Sequence, residues 1–538
     1  MIRLENDWLR LTLEPEKCEF SLLDWYSPPG SIQHAHYGVS LSLNLSKAAL
    51  RLDDLVLIDL KQMQEQTVHG LLNYYRLIYQ TQSGSFDVVS EFGLLQNTPL
   101  MLQKMSLFNR SNRSVFPDRL IFCEIPRGNL QLSDNPASAT VCYVNGWQSW
   151  SPSGTYRFGE RQQHSGLGLL TSPVLNNAGT PITRQKNHFS SDMFTVVGET
   201  SAQRGLLVGF LSQKLQFGSA EIWLHPQPAL SVWANGDKAE LPDDQAMQTD
   251  WAAYSFISLN GPNAMAPFLE AVARENSVRV PGSVPVGWCS WYEFFSDVRE
   301  KDIRANLSKI VSMREAVPLQ LLQIDDGYEK AVGDWFDFNS KFPRGLKPLA
   351  QEIRQAGLEP GLWIAPYILQ RRSAVAKNHP DWLLRNEHGS AVNAGFGWNS
   401  LTCSLDLTIS EALDYTCEEV DRAVHDWSFP YLKLDFLYAA AIKGRYHDPT
   451  QTRAQVLRKG LEKLREAAGA EATLLACGCP IGSALGLVDL MRVSEDVAPN
   501  WEPEIFGISF PFKREASLPS ARNAIQNILA RAEMNQTW

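Results

Sequence analysis

Basic runs are missing from this 538-residue sequence. Acidic side chains outnumber basic ones, 59 to 49, for a net charge of −10. No stretch of lysine and arginine is long enough to serve as the electrostatic footprint of a nucleic-acid binder. Long hydrophobic runs are missing too. Nothing approaches the roughly 18–20 apolar residues of a membrane span. The opening MIRLENDWLRLTLEPEKCEF carries charges throughout and lacks the apolar segment of a secretion signal. Cysteine is sparse and scattered: Cys18, Cys123, Cys142, Cys289, Cys403, Cys417, Cys477 and Cys479. Without a secretion signal, that usage predicts reduced thiols in a cytoplasmic protein rather than a disulfide framework. Internal repeats and low-complexity segments are also absent. What is present, 44% apolar and 20% charged residues, is the composition of an ordinary folded protein. The chain is too long for one core, so two domains are expected.

The pattern changes once along the chain. Up to about residue 280, short alternating or apolar runs recur between Ser, Gly, Asn, Asp and Pro clusters: 9–13, 38–45, 74–82, 86–95, 193–198, 206–212 and 220–226. Such spacing predicts a large β-sandwich over 1–283. After Val280-Pro281-Gly282, strand-like runs alternate with amphipathic helices. VGWCSWY at 286–292 precedes a segment in which Ile303, Leu307 and Ile310 share one helical face. LQLLQID at 319–325 precedes a helix with Gly357 as its stop. Further strands are expected at 358–367, 431–438, 472–480 and 489–497, with helices within 404–427 and over 452–469. Repeated β-then-α units predict a parallel sheet, and about six in a row favour a TIM-type (β/α)₈ barrel over 284–538.

Such barrels place their chemistry at the C-terminal ends of the strands. Here those ends carry Trp288 to Tyr292, Asp325-Asp326-Gly327-Tyr328, Trp363 and Tyr367, Lys433-Leu434-Asp435, Cys477 to Pro480, and Arg492 to Asp496. Carboxylates and aromatics collect at one rim, and histidine is absent from it. This suits a sugar: aromatic faces cover the apolar C–H faces of a pyranose, and carboxylates accept bonds from vicinal hydroxyls. Two further carboxylates can cleave a glycosidic bond. Each piece also has a plainer reading. Strand-end Trp is often packing, and Asp-Asp-Gly can be a turn. It lacks the spacing of a calcium loop. Cys477-x-Cys479 lacks the second Cys pair or His cluster of a metal site, which favours structural thiols. Lys433 and Asp435 point to one side of an apolar strand, costly unless paired or used. Spacing alone does not choose between Glu495 and Asp496.

Seven ordered motifs in the second half carry a family resemblance: GWCSWY, QIDDGY, GDWFDFNSKFPRGLKPLAQEI, GLWIAPY, YLKLDF, LLACGCPIG and MRVSEDVAPNW. NGWQSWSPSG at 145–154 extends it into the first half. On these the sequence resembles glycoside hydrolase family 36, the α-galactosidases or melibiases. The resemblance implies Asp435 as nucleophile, from K-x-D, and Asp496 as acid/base, from R-x-x-x-D. It implies that Asp325 and Asp326 bind the galactose 4- and 6-hydroxyls, and that Lys433 and Arg492 hold hydroxyls around C2 to C4. Trp291, Tyr292, Trp363 and Cys477 would line the galactose subsite, and Trp147 would reach over the barrel mouth. It implies no cofactor and no metal.

The expected substrate is therefore a small α-galactoside oligosaccharide of the raffinose or melibiose type, with no nucleic-acid or membrane partner. The expected reaction is hydrolysis with retention, which sets the two carboxyls roughly 5–5.5 Å apart, against about 6.5–9.5 Å for inversion. Rival readings are a galactosyl transferase of the raffinose-synthase type, an α-N-acetylgalactosaminidase, and an inactive sugar-binding protein. The family pattern continues past the acid/base strand with W-x-N-D-P-D and two more strands. This sequence stops before them, so the barrel is expected to look truncated after about six strands. Open edges would then leave the chain, expressed alone, insoluble or inactive.

Overall fold

Alternation in the first half becomes two antiparallel sheets. The computed structural model describes residues 1–42, 50–51, 54–133, 139–504, 508, 514–535 and 537–538. In the strand Leu9–Glu14, Leu9, Leu11 and Leu13 are buried while the residues between them stay partly exposed. Leu11 pairs with Leu23 of the next strand, so one face of the ribbon is apolar and turns inward. Among the described residues each sheet has ten strands. Their shared core holds Phe20, Phe92 and Tyr254 edge to face, and Tyr37 and Tyr79 join hydroxyls at 2.7 Å. The run expected at 38–45 belongs to Pro29–Ser42, and its last three residues lie outside the described ones.

Among its described residues the second half builds one six-stranded parallel sheet in sequential order: β1 (Gly287–Cys289), β2 (Leu321–Ile324), β3 (Glu359–Ile364), β4 (Tyr431–Leu434), β5 (Thr473–Cys477) and β6 (Leu490–Arg492). β2 and β4 are buried at every position, which is why they read as continuous apolar runs rather than alternating ones. The helices α1 (Glu300–Ser312), α2 (Lys347–Gln355), α3 (Ser410–Asp421), α4 (Arg453–Ala468) and α5 (Ala521–Ala530) complete the pattern. Ile303 and Leu307 of α1 are buried, as are Leu457, Leu461 and Leu464 of α4. Gly357 follows α2 with φ +77°, and Leu358 N–H returns to Ile353 O at 3.2 Å. That is the left-handed stop that glycine allows. No helix among the described residues is long and apolar enough to cross a membrane.

The strands are shorter than the apolar runs suggest. The chain leaves β4 at Leu434, and Leu437–Ala441 forms a 3₁₀ turn. Trp291 and Tyr292 lie on the short helix Trp291–Phe294 after β1, not on the strand itself. Between β3 and α3 the chain adds a small antiparallel sheet of Ile368–Gln370, Phe396–Gly397 and Ser400–Ser404.

The sandwich is fastened to the second unit by buried polar contacts. Arg453, at the start of α4, meets Asp237 through Nε and Nη2 at 2.9 and 2.7 Å. Ser483 Oγ donates to Gln213 O at 2.8 Å. The sandwich loop around NGWQSWSPSG inserts further: Ser149 N–H donates to Cys479 O at 2.9 Å, and Ser494 N–H donates to Ser149 O at 2.8 Å. The loop therefore joins the mouth of the parallel sheet between the ends of β5 and β6.

Candidate active site

Lys433 is the hub. Its position in the middle of β4 would place a charge in an apolar layer, and two carboxylates answer it. Lys433 Nζ lies 3.0 Å from Asp325 Oδ2 and 3.5 Å from Asp435 Oδ2. Burial works against its charge, but the pair of carboxylates raises it well above an ordinary lysine. Asp325, just past β2, is fixed further by Gln323 Nε2 at 2.7 Å and the Cys289 thiol at 3.4 Å. Its own N–H donates to Ser290 Oγ at 2.9 Å. The salt-bridge reading of Lys433 and Asp435 and the functional one are thus not alternatives: the bridge is present, and it faces the rim.

Asp435 stands one residue beyond β4. Trp363 Nε1 donates to Oδ2 at 2.9 Å, and Phe436 N–H donates to Oδ1 at 2.9 Å. Burial alone would raise this carboxyl. Lys433, Arg492 and the indole N–H of Trp363 together hold it below the usual carboxylate range, so it is ionised at neutral pH. The Cys477 thiol beside it is pushed well up by burial and stays protonated. Phe436, the next residue, is left-handed at φ 54°. A non-glycine residue in that region costs about 1–2 kcal/mol, and here it ends the strand and turns the chain immediately after the carboxylate.

Asp496 lies beyond β6 and faces the same rim. Trp291 Nε1 donates to Oδ2 at 2.8 Å, and Arg492 forms an ion pair with Oδ1. Arg492 also acts on Asp435 through its charge, so one guanidinium serves both carboxylates. Tyr292 is half exposed beside it. Asp326 completes the rim. Trp398 Nε1 donates to its Oδ2 at 2.7 Å. Burial and the neighbouring Glu329 push the Asp326 carboxyl well above its ordinary value.

The structure thus brings Asp325, Asp326, Lys433, Asp435, Trp363 and Cys477 into one cluster, with Trp291, Tyr292, Arg492 and Asp496 along its edge. Trp147 is buried one layer back, against Phe217 and Tyr438. Trp150 of the same motif lies nearer: its ring meets Phe436 at 5.2 Å and Arg492 at 5.3 Å. Trp150, Phe436 and Trp398 were not singled out from sequence. Trp150 and Phe436 lie inside quoted motifs, one or a few residues from a chosen neighbour. Trp398 sits at the tip of the inserted hairpin, away from the strand ends of the parallel sheet, where only the glycines of GFGWN marked a turn.

Glu495 points the other way. It is buried, and neither carboxyl oxygen meets a donor from another residue among the described ones. Burial pushes its carboxyl up to about 8, with Arg492 and Arg531 opposing and Asp496 adding to the rise. The folded value exceeds the ordinary 4.5, so as pH rises the unfolded chain ionises first and stability is lost between about 4.5 and about 8. Glu495→Gln, already neutral, should escape that loss. Its melting temperature should match wild type near pH 4.5 and exceed it near pH 8, where the stability gained is on the order of 4 kcal/mol. A difference that does not change with pH, measured by thermal unfolding, would contradict this placement.

A parallel β/α sheet whose C-terminal rim gathers carboxylates, a lysine, an arginine and indoles suits a sugar, with groups to accept from hydroxyls and faces to cover a pyranose. Comparisons with known proteins narrow the class. The Melibiase family model matches residues 283–459. The α-galactosidase of Escherichia coli is 28% identical over 240 residues, which is 42% of this chain and 32% of that protein. The chain spans about a third of the length of the curated relatives it matches first. Among solved structures, an α-galactosidase from Thermus thermophilus in complex with p-nitrophenyl α-D-galactopyranoside is 28% identical. It superposes with a TM-score of 0.62 over 88% of this chain and 82% of that one. The family 36 α-galactosidase AgaA of Geobacillus stearothermophilus, at 14% identity, shares the fold with a TM-score of 0.64 over 92% and 75%. By these comparisons the chain is similar to α-galactosidases, with a Melibiase match over 283–459, and it shares its fold with a family 36 member.

Proposed function

We propose that this chain hydrolyses terminal α-D-galactosides with retention of configuration. Asp435 attacks the anomeric carbon while Asp496 gives its proton to the departing glycosidic oxygen. The C1–O bond breaks and a galactosyl ester of Asp435 forms. Asp496, now a carboxylate, takes a proton from water, whose oxygen attacks C1 and releases Asp435. Asp325, Asp326, Lys433 and Arg492 hold the sugar hydroxyls. Trp291, Tyr292, Trp363 and Cys477 line the galactose subsite, with Trp147 behind the loop that covers it. The observation that carries this reading is the pair of differently held carboxylates. Asp435 is kept ionised by Lys433, Arg492 and Trp363, and Asp496 is held across the rim by Trp291 and Arg492. Stachyose and raffinose, bound in structures of relatives, are the substrate type that fits.

The six parallel strands are read as members of a TIM-type barrel. The sandwich is assigned to 1–283 and the catalytic unit to 284–538. Eight free thiols support a cytoplasmic location. The test is turnover. Open strand edges alone would leave the chain inactive; on this reading it should instead release p-nitrophenol from p-nitrophenyl α-D-galactopyranoside and not from the α-glucoside, which differs only at C4. Release from the glucoside alone, or from neither, would overturn the reading.

A further inference from the structure

Four consecutive carbonyls of the sandwich loop are gripped by two side chains from the far end of the chain. Asn527 on α5 donates from Nδ2 to Trp150 O at 3.3 Å. Arg531, just after α5, donates to Gln148 O and Ser149 O at 3.3 Å and to Ser151 O at 3.2 Å. Asn527 Oδ1 in turn accepts from Arg531. Both residues are buried, 4% and 3% exposed. A fully buried guanidinium is costly unless its N–H groups are satisfied, and here carbonyls of one loop satisfy most of them. The loop segment they hold carries Trp150, whose ring lies under Arg492, the partner of Asp496.

We infer that Asn527 and Arg531 are positioning residues for the proposed acid/base, acting through the loop 148–151, Trp150 and Arg492. The two side chains fix the loop backbone, and the backbone fixes the indole. The indole limits where Arg492 lies, and Arg492 orients the Asp496 carboxyl toward the leaving oxygen. Ser149 ties the same loop to β5 and β6 through Cys479 and Ser494, so a loosened clamp shifts the mouth rather than unfolding the sheet. This inference rests on the assignment of Asp496 as acid/base.

The experiment compares kcat/KM on p-nitrophenyl α-D-galactopyranoside with that on melibiose, for wild type, Asn527→Ala, Arg531→Lys, Arg531→Ala and Leu529→Ala. The ratio of the two substrates does not depend on how much of a preparation is folded. The activated phenol leaves with little help, whereas the sugar needs its proton. General-acid help is worth ~10²–10⁴-fold, so partial misplacement should lower the melibiose-to-phenyl ratio by about five- to tenfold in Asn527→Ala and Arg531→Lys. Leu529→Ala, exposed on the same helix, should keep the wild-type ratio. Arg531→Ala, if it folds, should show the largest shift. An unchanged ratio in Asn527→Ala and Arg531→Lys, in a wild type that turns over both substrates, overturns the inference. A wild type that turns over neither overturns the assignment of function on which it rests.

Discussion

Asp435→Gly should lower turnover of p-nitrophenyl α-D-galactopyranoside by on the order of 10⁴-fold or more, the scale on which loss of a covalent nucleophile is felt. The fold should survive the change. Lys433 keeps Asp325 at 3.0 Å, so the buried ammonium is not left without a counter-charge. The substitution opens a small cavity at C1 on the face from which Asp435 attacks. Azide entering there forms the C1–N bond as the leaving group departs, and it should restore turnover with β-D-galactosyl azide as product. Rescue giving the α-azide, or a glycine variant that retains near wild-type activity, would show that another group attacks C1.

Asp496→Ala should separate substrates by their leaving groups. Melibiose and raffinose, whose sugar oxygen must be protonated, should lose ~10²–10⁴-fold in kcat, while p-nitrophenyl and more activated phenyl galactosides lose far less. Trp291 Nε1 and Arg492 both lose their acceptor, so some increase in KM should accompany the change. Glu495→Ala serves as the comparison. Its carboxyl is buried and lies with Pro152, Ser153 and Asn527 rather than with the rim residues, so any loss of activity should be uniform across leaving groups. If Glu495→Ala shows the leaving-group dependence and Asp496→Ala does not, the two roles are exchanged.

The alternation of Leu9, Leu11 and Leu13 and the uninterrupted burial of Leu321–Ile324 and Tyr431–Leu434 are local properties. Period and run length therefore revealed both the antiparallel first half and the parallel second half. The lengths of the strands were less legible. YLKLDFLY is apolar nearly to its end, yet Phe436 adopts a left-handed conformation that ends β4 at Leu434. Apolar content does not report that turn, because the residues after it are buried in a 3₁₀ segment instead. The strand-end rule located most of the rim residues, since a parallel sheet brings all of its C-terminal ends together whatever the connections.

It did not locate Trp398, which reaches Asp326 from an inserted hairpin, or Trp150, which arrives from the other half of the chain. Those contacts join residues 72 and 342 positions apart, Trp398 to Asp326 and Trp150 to Arg492. No periodicity encodes such a meeting. Glu495 and Asp496 were indistinguishable by spacing for a related reason. Ser494 is left-handed at φ 76°, and this local reversal, invisible in residue type, accompanies the opposite outlooks of the two neighbouring carboxyls.

In the proposed reaction Asp435 and Asp496 cleave an α-galactoside by two successive displacements at C1. Proton NMR of the first product formed from p-nitrophenyl α-D-galactopyranoside, recorded before mutarotation, tests it most directly. Two inversions return the starting configuration, so α-D-galactose should appear first and the β anomer should grow in only at the rate of mutarotation. β-D-galactose as the first product would mean a single displacement by water and would contradict the account.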